Sequence, residues 1–174
     1  MRKSTLASIR SGASGVAFVI SALLLSEVFS ISAEPPRAST NGFRFVDLSA
    51  FANSSEGTVR EFSILPSGPQ NFGGIPFRVN TRVTVTGMQS ARAGEFFPTE
   101  VTGIPIGENA KRIHLLHGTM FAEKDGVPVA KIVFHYANGG QESVRLGYGI
   151  HVRSWITPRL EKRSELFDPN SHLA

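Results

Sequence analysis

The sequence has no cysteine among its 174 residues. This absence excludes disulfide bonds, thiolate metal sites, thiol catalysis and a lipid-modified N-terminal cysteine. Small exported domains commonly depend on disulfides, whereas a larger domain can be held together by its hydrophobic core alone. Hydrophobic residues make up 41% of the chain and charged residues 18%, which is typical of a globular protein, so we expect one domain with a single core.

Helical periodicity is also scarce. Beyond the first 33 residues, no segment of useful length has apolar residues at the spacing of an amphipathic helix. The sequence contains no Gly-x-Ser-x-Gly motif, no His-Glu-x-x-His motif and no glycine-rich phosphate loop that opens a helix. We therefore predict an all-β protein with no catalytic residues, no metal and no cofactor.

Long hydrophobic runs are missing, since the longest largely apolar stretch is the ten-residue Val16–Leu25. A helix that crosses a bilayer needs about 20 apolar residues. Basic residues precede this stretch and small residues follow it: Arg2, Lys3, Arg10, Ser30, Ser32 and Ala33. This order predicts a signal peptide over residues 1–33, a mature start near Glu34, and a secreted or periplasmic protein. The alternative is an uncleaved signal, which would be the protein's only membrane contact.

Positive charge is modest once this segment is set aside. The formal net charge falls from +4 to +2, because residues 1–33 hold three basic residues and one acidic residue. No cluster of Lys and Arg with interleaved aromatic residues remains. We therefore expect no nucleic-acid partner.

Strand patterns are strongest in Lys111–Tyr136. Apolar residues occupy every second position from Ala130 to Tyr136, and Ile113–Phe121 is apolar on both faces. Between these stretches, Lys124-Asp125-Gly126 is typical of a tight turn. We predict that the two strands pair as a central antiparallel hairpin.

Other segments also alternate and are separated by turns rich in Gly or Pro: Phe43–Leu48, Thr58–Leu65, Ile75–Val79, Arg82–Gly87, Phe97–Gly107, Glu142–Leu146 and Gly147–Trp155. A turn at Asn138-Gly139-Gly140 precedes one of them. Strands with this spacing indicate an antiparallel β-sandwich or jelly roll over residues 43–155. Residues 34–42 are a predicted linker, and 156–174 a polar tail in which strands of a longer chain would begin.

Four short motifs occur in order along this region: Phe72-Gly73-Gly74-Ile75-Pro76-Phe77, Ile104-Pro105-Ile106-Gly107, Ile113-His114-Leu115-Leu116-His117 and Gly149-Ile150-His151-Val152-Arg153-Ser154-Trp155. Together they resemble a family of exported bacterial galactose-binding-like, carbohydrate-binding β-sandwich modules, over about residues 43–155. The resemblance implies a module of the kind attached to polysaccharide-degrading enzymes or membrane-anchored regulators. It also implies an incomplete sandwich, whose further strands lie in a missing C-terminal half or come from a partner.

Polar residues on the predicted strands and turns offer two candidate chemistries. Histidine is a common metal ligand, but neighbouring His114 and His117 face opposite sides of a regular strand. We predict that the strand histidines, His117 near Gly118 among them, hydrogen-bond within the sheet: His114, His117, His135 and His151. Paired carboxylates could hydrolyse glycosides. The spacing of the acids predicts solvated loop carboxylates instead: Asp47, Glu61, Glu95, Glu100 and Asp125.

Aromatic residues are the best candidates for ligand contact, because the C–H face of a sugar ring packs against an aromatic plane. The predicted ligand-binding residues are Phe96, Phe97, Tyr148 and Trp155. Core packing is the favoured alternative for Trp155 and for Tyr136.

The first hypothesis for function is a non-catalytic exported module that binds a polysaccharide or glycan, or makes another cell-surface interaction. One alternative is a glycan-degrading enzyme domain. Another is a structural subunit that completes its sheet with a strand from a partner.

Overall fold

The computed structural model describes residues 6–11, 18–26, 42–54, 65–94, 96–107, 110–156 and 168. Within these residues, strands dominate and every pair of strands is antiparallel, so the predicted all-β class is confirmed. The strands are β1 (Leu6–Ser11), β2 (Phe18–Ser26), β3 (Phe43–Val46), β4 (Gly68–Phe72), β5 (Ile75–Val79), β6 (Val83–Val85), β7 (Glu100–Pro105), β8 (Arg112–Thr119), β9 (Pro128–His135) and β10 (Gln141–Gly147).

Two short helical segments interrupt the strands. A 3-10 turn, Ser49–Phe51, follows β3, and helix α1, Met88–Arg92, follows β6. The Oγ of Ser90 accepts a hydrogen bond from the amide of Gly87 at 2.9 Å and so holds the first turn of α1. With five residues, α1 is too short to show helical periodicity in the sequence. No helix in the described ranges is long and apolar enough to span a membrane.

The first four-stranded sheet has the order β10-β9-β1-β7. Strands β9 and β10 form a hairpin whose turn contains Asn138-Gly139-Gly140, and the amide of Tyr136 donates to the carbonyl of Gly140 at 2.9 Å. This hairpin and its turn confirm the sequence prediction. Strand β1 lies between β9 and β7 and is therefore an interior strand.

The second sheet is built around β2. Strand β8 pairs along one edge of β2, from Phe18 to Ser26. The opposite edge is shared, because β6 pairs with Phe18–Ile20 and β3 with Leu23–Ser26. Both edges of β2 are therefore hydrogen-bonded.

The predicted central hairpin in Lys111–Tyr136 is wrong, although both of its strands exist. β8 pairs with β2 in the second sheet, while β9 pairs with β1 and β10 in the first. The Asp125-Gly126 turn is present, but the amide of Gly126 donates to the carbonyl of Tyr148 at 2.9 Å. The turn is thus tied to the segment that follows β10 and leads from one sheet to the other.

A hydrophobic core is shared by strands of both four-stranded sheets. Its buried residues are Ala7, Ile9, Leu48, Val83, Val85, Ile104, Ile106, Val129, Ala130, Ile132, Leu146, Tyr148 and Val152. In β9, Ala130, Ile132 and Phe134 belong to this core, as the alternation predicted. The next residue of that series, Tyr136, lies outside the strand and is 42% exposed.

A separate two-stranded sheet consists of β4 and β5, joined by the turn at Gly73-Gly74. Pro69 and Pro76 lie in these strands, and proline is tolerated there because each strand has a free edge in a two-stranded sheet. The predicted strand Ile75–Val79 is present as β5, whereas β4 was not predicted. Phe77 and Val79 of β5 form a second small core with β3 and β8 residues.

The N-terminal segment predicted as a signal peptide contains β1 and β2. The sheets therefore include strands that precede the predicted domain start at Phe43. Cleavage near Glu34 stays a prediction. The predicted strand over residues 58–64, most of the linker, and the tail apart from Ile156 and Asp168 lie outside the described residues.

Candidate functional site

The loop between α1 and β7 carries the most exposed aromatic residue of the part of the chain that the structure describes. Phe96 is 91% exposed, whereas the neighbouring Phe97 is half-buried and packs into a small cluster around Met120. The loop is held at its far end, because the carbonyl of Pro98 accepts a hydrogen bond from the amide of Thr86 at 2.8 Å. The backbone thus fixes where the two phenylalanines leave the fold.

Trp155 packs into the same Met120 cluster, together with Leu65 and Phe121. Its amide donates to the carbonyl of Thr119 at 3.1 Å, at the end of β8. A Cβ at Gly118 would lie 2.9 Å from the indole ring, so only glycine lets the indole approach β8 this closely. Two predicted ligand-binding residues, Phe97 and Trp155, therefore share one cluster, and Phe96 precedes Phe97 in the chain.

The position of Tyr148 does not support its prediction as a ligand contact. This residue is 1% exposed and belongs to the main core. Its hydroxyl accepts a hydrogen bond from the amide of Ser154 at 3.2 Å, and the guanidinium of Arg153 lies 5.4 Å from its ring centroid. Tyr148 thus orders the segment that carries Trp155 and offers no open face.

Tyr136 also differs from its prediction. Core packing was favoured for this residue, but its hydroxyl donates to Glu142 Oε2 at 2.8 Å on the exposed side of the β9–β10 hairpin. This hydrogen bond, burial and the nearby negative charge raise the pKa of Tyr136. Tyr136 therefore contributes to the hairpin surface instead of the core.

Each described acid that was a candidate for catalysis has another partner. Asp47 accepts a hydrogen bond from the amide of Ser49, and Glu100 forms an ion pair with Arg10 at 2.6 Å. Asp125 pairs with Arg153 at 3.1 Å. Asp47 and Asp125 are in loops, as predicted, whereas Glu100 is in β7; Glu61 and Glu95 lie outside the described residues.

The histidines of β8 lie in different surroundings, consistent with their opposite faces. His114 packs edge-on against Phe43, with ring centroids 6.0 Å apart, and burial followed by the charge of Arg112 lowers its pKa. His117 is half-buried, and burial followed by His151 lowers its pKa to about 4. Among the described residues, no group of three or more His, Asp or Glu side chains is placed to hold a metal ion.

Two further polar features lie near the core, at His151 and at Arg82. The Nδ1 of His151 accepts a hydrogen bond from the amide of Gly147 at 3.0 Å, and its Nε2 lies 3.7 Å from Asp168 Oδ2. Arg82 is only 6% exposed, yet its Nε and Nη2 atoms find no hydrogen-bond partner in the described part of the chain. The hydrogen bond from Gly147 of β10 agrees with the prediction that His151 hydrogen-bonds within the sheet. No spacing in the sequence predicted the approach of His151 to Asp168 or the burial of Arg82.

Comparison with known proteins identifies no relative. No protein-family model matches the chain, and no curated protein or solved structure is significantly similar to it.

Proposed function

We propose that this chain is a non-catalytic exported β-sandwich module of the galactose-binding-like kind, which binds a glycan through Phe96, Phe97 and Trp155. The observation that carries this proposal is the 91% exposure of Phe96, the sequence neighbour of Phe97, which packs into the cluster around Met120. An aromatic ring held at the surface by an ordered backbone gives a sugar ring a plane to pack against.

The surroundings of Phe96 favour a pre-formed site. Phe97 packs inward on the Met120 cluster, and the carbonyl of Pro98 is bound by Thr86, so the loop is anchored immediately after Phe96. Less conformational freedom is lost on binding when the contact residue is already positioned. The half-buried indole of Trp155 lies in the same cluster and is the second aromatic plane of the proposed site.

The glycan-degrading alternative has no supporting observation among the described residues. Glycoside hydrolysis requires two carboxyl groups about 5–9 Å apart across the scissile bond. Instead, the amide of Ser49 donates to Asp47. Glu100 forms an ion pair with Arg10, and Asp125 forms one with Arg153.

The test is retention of the full chain on insoluble polysaccharides and on a glycan array. Once a bound glycan is found, Phe96→Ala should weaken affinity about tenfold, since loss of one aromatic contact is worth about 1–1.5 kcal/mol. Met88→Ala is the matched control, because Met88 is an exposed apolar residue on α1 that is 51% exposed.

Intrinsic fluorescence adds a local readout, because Trp155 is the only tryptophan in the chain. Binding at the proposed site should change its emission, and Phe96→Ala should reduce that change at a fixed glycan concentration. Absence of retention on every glycan tested, or equal affinity of Phe96→Ala and the parent chain, would contradict the proposal.

A further inference from the structure

Each of the two N-terminal strands is an interior strand of one four-stranded sheet: β1 of the first and β2 of the second. β2 is hydrogen-bonded along both edges, to β8 on one side and to β6 and β3 on the other. β1 is paired with β9 on one side and with β7 on the other. Loss of an interior strand leaves backbone groups unpaired on both neighbouring strands.

The side chains of β1 fit this position. Ala7 and Ile9 are each 3% exposed and belong to the main core. Arg10, at the outer end of the strand, forms an ion pair with Glu100 of β7. The space between β9 and β7 therefore fits a strand of a particular kind. Such a strand has apolar residues at alternate positions and one basic residue opposite Glu100.

Strands β3, β6 and β8 depend on β2 for their backbone hydrogen bonds to another strand. Within the described residues, β2 is the only named strand with which each of them pairs. Removing residues 1–33 would leave these three strands without a ladder partner and would separate β9 from β7. Such removal is what the basic, apolar and small-residue pattern of this segment predicts.

We propose that the two positions held by β1 and β2 form a strand-acceptor site, and that these two strands are its in-chain donor. When the donor of one chain is absent, the site binds β1 and β2 of a second copy. β1 carries the alternation and the basic residue that its position requires, and backbone hydrogen bonds on both edges of each strand supply the binding energy. The acceptor site contains none of the proposed glycan contacts, so its failure leaves the glycan proposal intact.

The first experiment cuts the donor from the folded full chain. A protease recognition sequence is inserted between Ala38 and Ser39, outside the described residues, and the refolded chain is cleaved. We expect the N-terminal fragment to co-elute with the remainder on size-exclusion chromatography and to exchange with a labelled synthetic peptide of residues 1–33. A peptide with Ile9→Asp and Leu24→Pro should fail to exchange.

Two outcomes would overturn the proposal. One is release of the fragment with no change in the circular dichroism or the thermal transition of the remainder, which would show that residues 6–26 are not part of the sheets. The other is a fragment that stays bound but never exchanges with the labelled peptide, which would show that the site accepts no strand from a second copy.

A second variant tests the uncut chain. Leu24 is in register with both Phe45 and His114, so Leu24→Pro removes an amide from the ladder at the centre of the second sheet. We expect a large fall in the thermal midpoint, with recovery when the 1–33 peptide is added in excess. Ala38→Pro is the matched control. Equal midpoints for the two variants would contradict the proposal.

Discussion

Two turns of this protein have similar chemistry but different consequences. Asn138-Gly139-Gly140 joins β9 to β10, and these strands pair along their length. Lys124-Asp125-Gly126 joins β8 to β9, which lie in different sheets. Turn residues therefore permit a local reversal of the backbone, but they do not decide which strands become neighbours.

The difference comes from what each turn contacts. The first turn is closed by its own residues, since the amide of Gly139 donates to the carbonyl of Tyr136 at 2.9 Å. The Asp125 turn is bound to distant residues, because Gly126 donates to Tyr148 and Asp125 pairs with Arg153. We thus expect the Asp125 turn to be sensitive to changes elsewhere in the chain, and the Asn138 turn to be sensitive only to local ones.

The largest predicted effect is that of Gly149→Ala, which acts on the Asp125 turn from a distance. Gly149 has φ 73°, and an added Cβ would overlap the Asp125 carboxylate. A positive φ costs an alanine about 1–2 kcal/mol, and overpacking adds about 1–3 kcal/mol. We expect the free energy of unfolding to fall by about 3–4 kcal/mol in urea denaturation.

Gly139→Ala is the matched variant for the Asn138 turn. Gly139 has φ 83°, but an added Cβ would meet no atom within 4 Å. Only the backbone term applies, so the expected loss is about 1–2 kcal/mol. Equal losses of unfolding free energy in Gly149→Ala and Gly139→Ala would contradict this difference. They would show that contact with distant residues does not make the Asp125 turn more sensitive than the Asn138 turn.

The next prediction concerns the pH dependence of stability. It compares His117 on β8 with His135 on β9. The pKa of His117 is lowered from 6.5 to about 4, by burial first and by His151 second. The unfolded chain therefore binds more protons between these two values. The contribution of neutral His117 to the free energy of unfolding should be fully present above pH 6.5. It should be lost as the pH drops towards 4, by on the order of 3 kcal/mol.

Urea denaturation across this pH range measures the effect. His117→Gln should flatten the decline in unfolding free energy, whereas His135→Gln on the half-buried position of β9 should leave it in place. If the pH dependence of the unfolding free energy were unchanged in His117→Gln, His117 would not be its cause.

The smallest effect sharpens the description of the β9–β10 hairpin. Glu142→Ala removes the acceptor that raises the pKa of Tyr136, so this pKa should fall towards the usual tyrosine value in an absorbance titration. The pair is exposed, so the unfolding free energy should change by less than about 1 kcal/mol. Gln141→Ala, one position away, should not alter the titration.

Much of the fold was accessible from the sequence. Alternation located the strands around Phe43, Val83, Ile132 and Val144, and the β9–β10 turn followed from its glycines. The surroundings of the aromatic candidates were not accessible in the same way, since Phe97 and Trp155 share a cluster and Phe96 is exposed, but Tyr148 is in the core. Alternation shows that two faces differ, but at the irregular end of β10 it does not show which one is buried.

The amino-acid sequence by itself determined the all-β class and the positions of β3 and of β5 to β10 with their turns, because side-chain alternation and turn chemistry are local properties. It did not identify β1, β2 or β4 as strands. Only the tertiary structure decided which strands are neighbours: β8 with β2, β9 with β1, and the Asp125 turn with Tyr148. The physical reason is that a strand edge can pair with any compatible edge, so the shared core selects among partners that local patterns leave equal.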